Sequence, residues 1–326
     1  MSVVGELSSS KDNSNHVILK QLEGNSDCFN DVIIIKCTQS KAKYNLIYFG
    51  GDIQNYEDEM NKSSTCKSFT KWNLLTTGYL LEKKFSSSPE TAANILIIRP
   101  DFFHLKCFAN YSNFVTCTDF GIPITISNAW DSKLDQSELN SMPVQADAGT
   151  NKTSCIDHVK KLLFKSLSEY NSSTKKDQID DKLPIILCGF SKGCVVLNQF
   201  CTELCPSIRP STDYESVHEF LTQIKHIFWL DGGHSGTENS WIKSEEIVQS
   251  IKQFKWSCYV FVTPYQLKSQ KLMAVQEYHT FIELLKKNDD KENEDYDTNW
   301  TLNSNKFLNE IKIIPTWYNI DCCIKY

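Results

Sequence analysis

The stretch that decides the fold runs from residue 184 to residue 200 and reads PIILCGFSKGCVVLNQF. Its first part is a short apolar run that predicts a buried strand, and its last part predicts a helix. Between them lies Gly189-Phe190-Ser191-Lys192-Gly193. A G-x-S-x-G turn between strand and helix is the nucleophile elbow of α/β-hydrolases, so the pattern predicts Ser191 as a catalytic nucleophile.

A serine in such a sharp turn needs small neighbours two residues away on either side, so that the helix can pass the strand. Gly189, Gly193 and Cys194 meet this requirement. The backbone N–H of Lys192 is then expected to face an oxyanion at the positive end of the new helix. Without its strand and helix, the same motif would be only a glycine-bounded turn.

The rest of the chain alternates between strands and helices. This predicts an α/β-hydrolase fold with about eight strands in a mostly parallel sheet and helices on both faces. The first three strands are expected to be successive strands at one end of the sheet. Strands are predicted at 16–19, 31–36, 45–49, 94–99, 183–188, 224–230, 257–262 and 311–314. Helices are predicted at 69–84, at 156–168, from after Ser191 to about 204, at 245–254 and at 272–286.

The predicted organisation is one domain over 16–326, preceded by a disordered segment at 1–15. Weak periodicity predicts a long excursion near 109–150, and a run of charged and amide residues predicts a solvated loop near 286–299.

Composition excludes several classes of protein. The net charge of −6 provides no basic field for nucleic acid, and no apolar window is long enough for a transmembrane segment. The 13 cysteines are odd in number and scattered, which favours reduced thiols inside a cell. The polar, serine-rich start resembles neither a secretory nor an import signal, so the N-terminus alone predicts a cytoplasmic protein.

The loop after the third predicted strand reads Phe49-Gly50-Gly51-Asp52. In this fold that loop supplies the second oxyanion donor, and glycines allow backbone amides to approach a ligand closely. The amide of Gly51 is therefore the candidate donor, and the alternative is a simple tight turn.

A catalytic serine needs a base and an acid, in the chain order serine, acid, histidine. Asp231 leaves the carboxyl end of the strand that follows the nucleophile strand, where ligand sites of open α/β sheets lie, and is the candidate acid. Alternatively, its side chain caps a turn. His234 is the candidate base, because its glycine neighbours let its loop fold over Ser191. His279 is the alternative base, although it lies inside a predicted helix, and a chain without a functional base stays open.

No metal or cofactor is predicted. The chain has no paired Cys-x-x-Cys or His-x-x-x-His spacing, and the loop at 189–193 lacks the length and the Gly-Lys-Ser/Thr ending of a phosphate loop.

Four blocks, at 48–56, 189–199, 229–236 and 262–266, resemble the α/β-hydrolase-like family of the human chromosome 2 open reading frame 69 protein. The resemblance implies a hydrolase-like fold and, in animals, an association with mitochondria, but no particular substrate. It also implies an acid just after 262–266 and histidines near the C-terminus. This chain has Ser269 and the tail NIDCC at 319–323 in those places.

Two functions follow as hypotheses. The first is a serine hydrolase that cleaves an ester, thioester or related acyl bond of an unknown small molecule. The second is a catalytically silent hydrolase-fold scaffold that binds a protein partner in the mitochondrion or cytosol. An imidazole within hydrogen-bond reach of Ser191 distinguishes them.

Overall fold

The computed structural model describes residues 15–124, 154–174, 177–205, 214–234, 240–263, 266 and 272–287. Seven of the described strands form one sheet, and two form a small hairpin. The sheet strands are β1 (His16–Glu23), β2 (Phe29–Ile35), β3 (Tyr44–Phe49), β4 (Ala93–Ile98), β7 (Ile185–Phe190), β8 (Ile224–Leu230) and β9 (Ser257–Phe261), and the hairpin strands are β5 (Phe102–His104) and β6 (Phe108–Asn110).

Helices connect most of these strands. The described α-helices are α1 (Glu57–Asn61), α2 (Leu74–Phe85), α3 (Cys155–Ser173), α4 (Cys194–Thr202), α5 (Tyr214–Gln223), α6 (Glu245–Gln253) and α7 (Leu272–Lys286). Short 3₁₀ turns occupy Lys67–Trp72, Ser191–Gly193 and Gly232–His234.

The strand order in the sheet is β1-β2-β4-β3-β7-β8-β9. β1, β2 and β4 pair antiparallel, and every pair from β4 to β9 is parallel. The expectation that the first three strands lie side by side is wrong at one place, because β4 lies between β2 and β3. The crossover α2 carries the chain from β3 back to this inner position, as a parallel pair requires.

Apolar side chains cover both faces of the sheet. One face packs against the buried sides of α3, α4, α5, α6 and α7, and the other packs against α2. The inner strands are apolar on consecutive residues, as expected where both faces are buried, and the six residues of β4 are all buried. This topology, with an elbow at the end of β7, is the α/β-hydrolase fold.

The predicted helix at 69–84 is divided. A 3₁₀ turn ends at Trp72 and α2 starts after Asn73, whose side chain accepts a hydrogen bond from Thr76 N. Asparagine is a strong N-cap because its side chain satisfies an otherwise unpaired N–H, which explains the new start. Helix α5 and the β5–β6 hairpin were not predicted.

Several predictions fall outside the described residues. They are the segment at 1–14, the larger part of the excursion (125–150), the strand at 311–314 and most of the acidic loop (288–299). Among the helices of the described residues, none is both long and apolar enough to cross a bilayer.

His158 joins α3 to the edge of the sheet. The ring is fully buried, Asn25 N donates to its Nδ1 at 2.8 Å, and its Nε2 lies 2.8 Å from Asn30 Oδ1. Because Nδ1 accepts a hydrogen bond, the proton sits on Nε2 and the neutral ring satisfies both neighbours. Burial lowers the pKa of His158 from 6.5 to about 4.

This histidine should make folding sensitive to acid. The pKa of His158 is 6.5 in the unfolded chain and about 4 in the folded chain. The contribution of the neutral ring to the free energy of unfolding is therefore complete above pH 6.5. It falls by roughly 3 kcal/mol as the pH drops to about 4. His158→Gln keeps one donor and one acceptor but does not titrate. Urea unfolding across this pH range should show that the unfolding free energy of the variant depends less steeply on pH than that of the wild type. Equal slopes for the two proteins would contradict this role of His158.

Candidate functional site

Ser191 lies in a strained turn at the carboxyl end of β7. Its φ is +50°, in the left-handed region that non-glycine residues rarely adopt. The strand ends one residue before it and α4 starts three residues after it. The side chain is half-buried. Strain of this kind persists where surrounding packing fixes it, often at functional sites.

The two glycines of the motif make this packing possible. A methyl group on Gly189 would lie 2.9 Å from Gly193 O and 3.0 Å from Cys194 Cα. A methyl group on Gly193 would overlap Phe49 O. Strand β7, the start of α4 and the end of β3 therefore meet at distances that exclude a side chain.

The loop after β3 reaches the serine directly. A methyl group on Gly51 would lie 2.9 Å from Ser191 Cβ, so the backbone of this glycine passes beside the hydroxyl-bearing carbon. The N–H of Gly51 donates to Gln54 Oε1 at 2.9 Å, and the same oxygen accepts from Tyr48 OH at 2.9 Å. The candidate oxyanion donor thus lies beside Ser191, and its N–H is engaged by a buried side chain of its own loop.

Lys192 contributes more than its backbone N–H. Its side chain is buried, and Nζ donates to the carbonyl oxygen of Phe120 at 3.1 Å. A buried ammonium is costly unless it is hydrogen-bonded. The lysine therefore fixes the segment around Phe120 against the elbow.

Asp231 leaves the carboxyl end of β8 with a φ of +55°. Its Oδ1 accepts from Thr263 N at 2.9 Å, and Thr263 Oγ1 lies 3.0 Å from Oδ1 and 3.1 Å from Oδ2. Gln266, with its amide nitrogen facing the carboxylate, donates to Oδ1 at 3.1 Å. The described contacts of the carboxylate are therefore made with the segment after β9.

The turn Gly232–His234 lies beside the elbow. A methyl group on Gly232 would be 3.1 Å from both Cβ and Sγ of Cys194, the first residue of α4. The turn that contains His234 therefore lies next to the start of α4. The side chain of His234 lies outside the described part of the structure.

The alternative base, His279, is exposed on α7, with its ring 5.2 Å from that of Tyr278. His226 lies in β8 among the rings of Tyr44 and Tyr259, and burial lowers its pKa to about 4. The ring of His226 therefore packs within the sheet.

No group of three or more His, Cys, Asp or Glu side chains within the described ranges could hold a metal ion. The described part of the site combines a strained Ser191, the start of a helix and a nearby glycine loop, which are the features expected of a nucleophile elbow.

Sequence reasoning missed Gln54, Gln266 and the side chain of Lys192. Gln54 lies in the block at 48–56 and Gln266 ends the block at 262–266. Both lie in loops that follow parallel strands, where polar side chains converge, and this placement is the signal that could have identified them.

Comparison with solved structures finds esterases of low similarity. A thermostable esterase aligns over 83% of this chain and 63% of its own, with a TM-score of 0.35 and 10% identity. A lipase/esterase from Lactobacillus plantarum aligns over 83% of this chain and 97% of its own, with a TM-score of 0.32 and 7% identity.

Comparison of sequences is more specific. The mouse mitochondrial protein C2orf69 homolog is 27% identical over 279 residues, which is 76% of this chain and 71% of that protein. The human mitochondrial protein C2orf69 is 27% identical over 271 residues, which is 76% of this chain and 68% of that protein. The C2orf69 family model matches residues 18–181 and 124–290. The chain therefore belongs to the C2orf69 family.

Proposed function

We propose that this protein is a serine hydrolase that cleaves an ester, thioester or related acyl bond. The observation that carries the proposal is the placement of Ser191: a positive φ at the strand-to-helix turn, next to Gly51, where an added methyl group would lie 2.9 Å from Ser191 Cβ. This arrangement supports the proposal, because acyl transfer needs an oxyanion loop next to the nucleophile.

In the proposed reaction, His234 accepts the proton of Ser191 Oγ as the oxygen attacks the acyl carbon. The negative charge that develops on the former carbonyl oxygen is stabilised by the N–H groups of Lys192 and Gly51. His234 returns the proton to the leaving group, and water then hydrolyses the acyl-enzyme by the same steps.

Asp231 orients the imidazole in this scheme. Its carboxylate is already fixed by Thr263 and Gln266. A carboxylate can accept about four hydrogen bonds, so these contacts are compatible with an additional ring N–H. They would also hold the carboxylate in place while the histidine takes up a proton.

A second function is favoured by one observation. Gly51 N–H donates to Gln54 Oε1 at 2.9 Å, so it must be shared or released before it can bind an oxyanion. If it is never released, the protein is a hydrolase-fold scaffold that binds a partner protein and turns over no substrate. For either function we propose a mitochondrial location, because the mouse and human relatives carry that word in their names.

The identity of the base can be tested with a fluorophosphonate probe, which reacts only with an activated serine. His234→Ala should slow labelling by about two to four orders of magnitude, the usual contribution of a general base. His279→Ala is the matched control, since that side chain is exposed on α7 and should leave labelling unchanged.

Reversal of these two results would assign the role of base to His279. A folded wild-type protein that stays unlabelled would favour the scaffold, and the search would then turn to protein partners.

A further inference from the structure

The segment 101–124, here called the capping hairpin, contains β5, β6 and the turns that follow them. It is fixed to the loop after β3 by three hydrogen bonds. They run from Ile53 N to Cys107 O at 2.7 Å, from Ala109 N to Asp52 Oδ1 at 2.8 Å, and from Tyr111 OH to Gly50 O at 2.9 Å. The hairpin thus forms one unit with the loop that touches Ser191.

A fourth hydrogen bond ties the capping hairpin to the elbow itself. Lys192 follows the candidate nucleophile in the chain, and its Nζ holds the carbonyl oxygen of Phe120 at 3.1 Å. Lys192 is only 3% exposed, so the donor side of this contact is buried. The backbone of Phe120 is therefore held near Ser191, at a distance that the side chain of the next residue, Lys192, can span.

The capping hairpin exposes polar side chains and also large apolar ones. Five large hydrophobic side chains are exposed among the described residues, and three of them, Leu105, Phe120 and Ile122, belong to this hairpin. The Phe120 ring is 44% exposed and packs against His104 at 4.5 Å and Phe108 at 5.3 Å between ring centres. Clustered exposed apolar side chains mark binding sites more often than isolated ones do.

We infer that the capping hairpin binds the apolar chain of an acyl substrate, with Phe120 and Leu105 as its contact residues. This inference rests on the proposed hydrolase function and narrows its substrate class to acyl groups with long apolar chains. The chain would lie on the aromatic cluster while its carbonyl carbon reaches Ser191. Removal of apolar surface from water supplies the affinity, and the four hydrogen bonds keep the surface in place.

The test measures binding without catalysis. Ser191→Ala protein is titrated with cis-parinaric acid, a fatty acid that fluoresces in apolar surroundings. Combining Phe120→Ala and Leu105→Ala with this substitution should raise the Kd about tenfold, because apolar contacts with the fatty acid are lost. The variant should still fold, because exposed side chains contribute little to stability.

Phe29→Ala in the same Ser191→Ala background is the matched control. Phe29 is 40% exposed and starts β2, three strands away from β7 in the sheet. Its carbonyl oxygen accepts from Asn113 Nδ2 of the capping hairpin at 2.9 Å, a backbone contact that does not use the side chain removed here. The Kd of this control variant should equal that of the Ser191→Ala parent. Equal affinity of the parent and the Phe120/Leu105 variant would overturn the inference, as would a folded parent that does not bind the fatty acid.

The outcome is separable from that of the hydrolase proposal. Binding that depends on Phe120, in a wild-type protein that no fluorophosphonate labels, would support the acyl site and contradict hydrolysis. Labelling of Ser191 without fatty-acid binding would support the hydrolase proposal and contradict the acyl-binding role of the capping hairpin.

Discussion

Replacing Ser191 by alanine is expected to abolish hydrolysis of activated esters such as p-nitrophenyl acyl esters. The substitution removes the only oxygen that the proposed mechanism uses to form the acyl-enzyme. Loss of a nucleophile in serine hydrolases lowers kcat by roughly four to six orders of magnitude, and the residual rate comes from the oxyanion site alone.

The fold should tolerate this substitution. Ser191 is half-buried, and the change removes one oxygen atom without adding volume. Alanine carries the same Cβ in the left-handed conformation, so the strain at φ +50° does not change. Ser172→Ala, at an exposed position of α3, is the matched control and should keep full activity. A rate retained by Ser191→Ala would contradict the assignment of the nucleophile.

Gly193→Ala is expected to have the largest effect on stability. The added methyl group would overlap Phe49 O and lie 2.8 Å from Gly50 O. Both atoms belong to the backbone at the end of the buried strand β3, so neither can turn away as a side chain would. Forcing such a group into a packed core costs roughly 3 kcal/mol of unfolding free energy.

Gly50→Ala provides the contrast. Its added methyl group would meet Leu74 Cδ2 at 3.0 Å and Gln54 Oε1 at 3.1 Å. These are side-chain atoms that can shift by a few tenths of an ångström, so we expect a loss of about 1 kcal/mol. Urea unfolding of both variants measures the difference. Equal losses would mean that the contact between the elbow and β3 is looser than the structure shows.

The elbow could be predicted from the sequence because its signal is local. An apolar run, a glycine-bounded serine and an apolar helix follow each other within 184–200, and each step restricts the next. The two glycines were correctly interpreted as sites of close approach. The structure adds that the Gly193 contact is made with β3, which lies far away in the chain.

The pairing of the strands could not be predicted to the same extent. Insertion of β4 between β2 and β3 depends on contacts between strands that are distant in sequence, and strand periodicity does not encode them. For the same reason, the engagement of Asp231 by Thr263 was not foreseen, since it joins the ends of two neighbouring parallel strands.

The oxyanion loop shows where residue type alone is insufficient. Two glycines predicted a backbone close to the serine, and Gly51 lies there. They could not reveal that Gln54 would take up the Gly51 N–H, because that depends on a side-chain rotamer fixed by Tyr48, Trp72 and Thr77. The sequence thus predicted the shape of the site more fully than its hydrogen bonds.

The most direct test of the central claim is the mass of the wild-type protein after reaction with a fluorophosphonate. We predict one adduct per chain, located by peptide mass spectrometry on the peptide that carries Ser191. A folded protein that gains no mass, or one that carries the adduct on another serine while Ser191 stays unmodified, would contradict an activated Ser191.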